Sequence, residues 1–144
     1  MRGTAKAIFF GISVALFTMH GQMAMAQSDD VALCTQAGAD ALAIAACRRV
    51  VQSDASAQDK SRAHNRIGLS LGKTEIDKAI DHYKQALALN PNNVDALLNL
   101  GMIQFNRSDL RGAIFAASAA LEIGVSPFGR MVALCLRARP RAAR

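Results

Sequence analysis

Tryptophan is absent from the 144 residues, tyrosine occurs once, and aromatic side chains make up only 5% of the chain. Sheets draw on aromatic and β-branched residues, so an all-β fold is nearly excluded. Proline is also scarce, at three residues, while alanine and leucine are abundant, and this composition favours close-packed helices. The length suits one small domain.

Recognisable catalytic chemistry is missing as well. After Ala26 the histidines are His64 and His82, and neither has the spacing of a His-Glu-x-x-His metal site or a neighbouring set of cysteines or carboxylates. Both read as surface histidines on helices. No Gly-x-Ser-x-Gly elbow occurs, and Gly68-Leu69-Ser70-Leu71-Gly72-Lys73-Thr74 has one residue too few between its glycines for a phosphate loop. The adjacent Asp29 and Asp30 read as a solvated terminus, not a general acid and base. No enzyme activity, cofactor or metal is expected.

The amino terminus carries an export signal. Arg2 and Lys6 precede an apolar run from Ala7 to Met19, and Ala24-Met25-Ala26 supplies the small residues that a signal peptidase reads. The run of about 13 residues is short of the roughly 20 that span a bilayer. Cleavage before Gln27 is therefore expected, with retention as an anchor the alternative, and the mature protein is expected to be soluble and periplasmic.

Helical periodicity fills the remainder. Ile76, Ala79, Ile80, Tyr83, Ala86, Leu87 and Leu89 recur at threes and fours along one helix face, which ends at Asn90-Pro91. A second set runs from Val94 to Phe105, and a third begins at Leu110 after Asn106-Arg107-Ser108-Asp109, where Ser108 or Asp109 is a natural N-cap. Laid against itself at one constant displacement, the sequence places Ile76 on Leu110, Ala79 on Ala113, Tyr83 on Ala117 and Ala86 on Ala120. Ile67-Gly68 falls on Leu100-Gly101 when that displacement is shortened by a single position. The period, about 34 residues, belongs to a helix-turn-helix repeat.

The pattern resembles the tetratricopeptide repeat: Ile67-Gly68 with Leu71, then Ala79-x-x-x-Tyr83, Ala86 and Pro91, and again Leu100-Gly101, Ala113 and Ala120. It departs at Ala117, where an aromatic is usual, at Gln104, where tyrosine is common, and in the inner turn Gly72-Lys73-Thr74, which is one residue short. The resemblance implies an all-α, right-handed solenoid of antiparallel hairpins, with about two and a half repeats and a C-terminal capping helix. Gly68, Ala79 and Ala86 then mark helix crossings that larger side chains would force apart.

In the same register Ala43, Cys47 and Val50 precede Ala79, Tyr83 and Ala86, so Ala41–Gln52 reads as the second helix of a degenerate repeat, after a turn at Gly38-Ala39-Asp40. Cys34 and Cys47 then face each other, and the chain resembles small exported bacterial tetratricopeptide proteins with an N-terminal cysteine pair. A Cys34–Cys47 disulfide is expected, with two reduced core cysteines the alternative. At the other end Ser126-Pro127 starts a helix, Ser as cap and Pro in the first turn. Cys135 on that helix is expected to be buried against the preceding repeat, with a dimer through its thiol the alternative. The divisions are a signal peptide at residues 1–26, the degenerate hairpin at 27–57, two repeats at 58–125, the capping helix at 126–137 and a basic tail at 138–144.

A concave groove follows from the resemblance, its candidates being Arg62, Asn65, Arg66 and Leu69 in one unit and Asp95, Leu98, Asn99, Met102, Phe105 and Asn106 in the next. Arg62, Arg66, Asn65 and Asn99 are suited to a carboxylate, as in clamp members of the family, although Arg66 stands where the clamp has asparagine. The expected function is non-catalytic binding of a protein segment. The formal charge of +6 does not argue for nucleic acid, because Arg2 and Lys6 leave with the signal and Arg137, Arg139, Arg141 and Arg144 carry the rest at the tail. Contact between that tail and anionic lipid or envelope polymer is the competing reading.

Overall fold

A computed structural model describes residues 28–36, 41–124 and 127–138. Within them the chain is all helical. Residues 28–35 form α1, and α2 (Ala41–Gln52), α3 (Ala57–Leu71), α4 (Ile76–Leu89), α5 (Val94–Asn106), α6 (Leu110–Ile123) and α7 (Pro127–Ala138) follow. The expected signal peptide, the expected turn at Gly38-Ala39-Asp40, the expected Ser126 cap and the segment beyond Ala138 lie outside the described residues.

Local chemistry sets the helix ends. The Ser56 Oγ accepts the Asp59 N–H at 3.1 Å and donates to the Asp59 carboxylate at 2.6 Å, which fixes the start of α3. Asn93 accepts the Ala96 N–H at 3.1 Å to open α5, and Asp109 accepts the Gly112 N–H at 3.0 Å to open α6. Asp109 is thus the cap, while Ser108 sits at φ 63°, a left-handed conformation that lets the chain reverse between α5 and α6. Helix α4 stops where the residue before Pro91 must be extended, and Asn90 has φ −144°.

The helices pair in a repeating antiparallel pattern consistent with a tetratricopeptide-like solenoid. Helices α3 and α4 form one hairpin and α5 and α6 the next, α2 and α7 pack at the two ends, and α5 also touches α3 and α7, so first helices line up side by side. Small residues permit this spacing: Ala79, Ala86, Ala113, Ala117 and Ala120 are fully buried. At Gly68 a Cβ atom would lie 2.8 Å from the Tyr83 ring, so these two helices cross at a distance that only glycine allows. Tyr83 fills the gap, 2% exposed, and burial pushes its phenol up to about 12.

The core is divided along the array. Cys34, Ala46, Cys47, Val50, Ala63 and Ile67 form one cluster, Ala79, Tyr83, Ala86, Ala96 and Leu100 a second, and Ala117 and Ala133 a third. Half-buried Leu71 packs against the first and second. Cys34 and Cys47 are joined by a disulfide with a Cα–Cα distance of 4.7 Å. The same hairpin is tied on its surface by a bidentate contact of Arg49 with Asp30, 2.7 Å at the closest. Asp30 is therefore an ion-pair partner and not merely a solvated terminal acid, and Arg49 holds its carboxyl below the usual range.

Candidate functional site

Side-by-side first helices leave a concave surface between α1 and α7. Two adjoining hollows of about 280 and 350 Å³ share Asn65, Arg66 and Asp95 and so form one continuous groove. Arg62, Thr35 and Asn93 line its polar end, and Leu69, Leu98, Asn99 and Met102 lead to Gly129 and Val132 on α7. Eight of the ten candidate residues border these hollows: Arg62, Asn65, Arg66, Leu69, Asp95, Leu98, Asn99 and Met102. Phe105 instead packs against the Ala117–Ala133 cluster, and Asn106 is exposed in the last turn of α5.

The groove floor is fixed by polar contacts. The Asn99 amide donates to the Asn65 Oδ1 at 3.1 Å, linking α5 to α3. Below them, Asn93 Nδ2 donates to the Ser61 Oγ at 2.8 Å, and that hydroxyl donates to the Ala86 carbonyl at 2.8 Å. Ser61 and Asn93 are both buried, so this chain binds α3, α4 and the start of α5 from within. The Arg66 Nη2 donates to the Gln36 carbonyl at 2.5 Å, where α1 ends and its carbonyls need partners. Arg62 lies 3.6 Å from Asp59 and keeps about half of its side chain exposed.

Thr35, Asn93, Gly129 and Val132 line the groove without having been singled out in the sequence. Asn93 carried a usable signal, since an asparagine one residue before an apolar helical run is a preferred cap. The other three follow from how α1 and α7 dock, which no local pattern states.

Two expectations are overturned outside the groove. His64 is only 7% exposed, and its Nδ1 lies 2.9 Å from Nδ1 of half-buried His82, so these are a packed pair and not surface histidines. Burial first, then the His82 and Lys60 charges, lowers the His64 pKa; burial first, then Arg48, lowers that of His82, against a smaller opposing effect of Asp81. Cys135 is a free, exposed thiol and not buried, because Gly129 and Ala133 are α7 residues that turn inward and Cys135, two residues beyond Ala133, lies about half a turn round the helix on the opposite face.

Residues 73–107 match the family model for the TPR repeat. This TPR match spans α4 and α5, the second helix of one hairpin and the first of the next, and therefore covers the junction between the two units. No curated protein matches the chain. Among the described residues, no helix is long and apolar enough to cross a membrane. Among them too, no group of three or more His, Cys, Asp and Glu is placed to hold a metal ion.

Proposed function

We propose that this TPR-like chain is an exported, non-catalytic interaction module that holds a peptide or helix of a partner protein in the groove between α1 and α7. The observation that carries this reading is the continuity of the groove, polar at Arg62, Asn65 and Arg66 and increasingly apolar toward Leu69, Leu98 and Met102. Leu69 and Met102 are about half exposed and lie with Leu98 along one hollow, a contiguous apolar strip of the kind that a partner covers. An extended or helical segment fits such a surface, with a carboxylate set against the arginine and asparagine end by charge-assisted hydrogen bonds.

Export is supported by the arrangement of Arg2, Lys6, the apolar run and Ala24-Met25-Ala26, and by a disulfide, which persists in oxidising compartments. The proposed divisions are a cleaved segment at residues 1–26, a disulfide-tied hairpin to residue 57, two repeats to residue 125, a capping helix and a basic tail.

The test is affinity capture from the periplasm with the native protein and with an Arg66→Ala/Asn99→Ala variant. Loss of the captured partner with an unchanged thermal melt is the expected result. A variant that keeps every partner removes the groove from the function. Because Arg66 also contacts Gln36, Met102→Asp serves as a second variant that leaves this contact in place.

A further inference from the structure

In each complete hairpin the first helix turns one side toward the second helix. On α3 that side carries Ile67 and Gly68, on α5 it carries Leu100 and Gly101, and all four are buried. Leu134 and Cys135 occupy the same register on α7, one repeat period after Leu100 and Gly101. Here Leu134 is 50% exposed, and Cys135 and Ala138 are exposed as well. The opposite side of α7 is seated normally, with Ala133 fully buried and Val132 packed beside it. A repeat-array face left to water is ordinarily polar. On α7, the last helix among the described residues, it is an apolar stripe in the register that elsewhere receives a helix.

We infer that the outer face of α7 is a docking surface for an acidic amphipathic helix from another protein, which completes the third hairpin. Register selects a helix, because that is what covers the same positions on α3 and α5. Charge selects its flanks. Helix α7 contains Arg130 and Arg137 and no acid, and Arg139, Arg141 and Arg144 follow it in sequence. Arg130 is exposed one turn before Leu134. A leucine stripe edged by glutamates gains both apolar burial and opposite charges at this face. A second copy of α7 would instead bring two arginine sets together with no acid between them. This face is also distinct from the groove, which α7 borders through Gly129 and Val132.

The test uses the full chain purified from an oxidising compartment and labelled helical peptides of about 20 residues, long enough for five turns. One peptide carries leucines at three-four spacing with glutamate flanks, and the other is identical with lysine flanks. Fluorescence anisotropy is expected to show binding of the acidic peptide, at least tenfold weaker binding of the basic one, and at least tenfold loss on Leu134→Glu or Arg130→Glu. Arg66→Ala/Asn99→Ala is expected to leave this binding unchanged, which separates it from the groove reading. Amide shift changes in the unmodified protein are expected along α7, so the outcome does not depend on any variant folding. Equal binding of the two peptides, shifts confined to the groove, or sedimentation showing a dimer that Leu134→Glu dissolves would each overturn the proposal, the last by making a second copy the occupant.

Discussion

The Nδ1 atoms of His64 and His82 face each other at 2.9 Å across the contact of α3 with α4. Only one of them can donate, so the other must present a lone pair, and the arrangement excludes two imidazolium rings. Both pKa values are lowered by folding, while the unfolded chain takes up protons near the ordinary histidine value of 6.5. The unfolded state therefore binds more protons below that value, and the pair's contribution to stability, complete above pH 6.5, is lost as pH falls. Urea unfolding is expected to show a lower midpoint at pH 5 than at pH 7.5, with the difference reduced in His82→Asn. Parallel curves for the two proteins would show that the pair does not carry the pH dependence, whereas the charges of Lys60, Arg48 and Asp81 enter only by acting on the two rings.

Gly68→Ala is expected to destabilise the protein by about 1–3 kcal/mol, since a Cβ there meets the buried Tyr83 ring and overpacking costs of that order. Tyr83→Leu on its own leaves a gap. The double variant is expected to be more stable than the sum of the two losses implies, and strict additivity in thermal or chemical melts would show that the two residues do not share the crossing.

Removing the covalent tie with Cys34→Ala/Cys47→Ala is expected to cost about 3 kcal/mol, the loop-closure value for a short loop. Reduction of the native protein should lower the melting temperature in the same way. A reductant-insensitive melt would indicate that the hairpin adds nothing to the cooperative unit.

Asn93→Ala removes a helix cap and a donor to Ser61 in a single change. A loss of about 2 kcal/mol is expected from the cap and the buried hydrogen bond together. Asn93→Asp keeps the cap acceptor but lacks the donor, so its stability should fall between that of the native protein and Asn93→Ala. An aspartate variant as stable as the native protein would mean that the Ser61 contact has no weight.

The helices and their crossings were legible because repeats are periodic twice over, once at the helical turn and again at the hairpin. Ile67-Gly68 falling on Leu100-Gly101 places two contacts with one displacement, and Pro91 and Asp109 mark boundaries by their own chemistry. The groove was legible as far as it is built from α3 and α5. Its ends were not, because Thr35, Gly129 and Val132 belong to helices whose docking depends on tertiary contact. Residue type misleads at His64, although the displacement that carries Ile67 onto Leu100 also carries His64 onto buried Leu97 and so marks an inward position. Cys135 misleads for the opposite reason: its register is a buried one, and the helix that buries it elsewhere has no counterpart among the described residues.

A hydrophobic interior strung out as three clusters also shapes how the molecule can deform. Leu71 bridges the first two, whereas the last is built around Ala117 and Ala133 with half-buried Leu98, Phe105, Leu121 and Val132. Strain applied at one end must then pass from neighbour to neighbour, as along a spring of unequal coils. The hairpin closed covalently at Cys34 and Cys47 is then a fixed anchor, from which any change of curvature is handed on hairpin by hairpin toward α7.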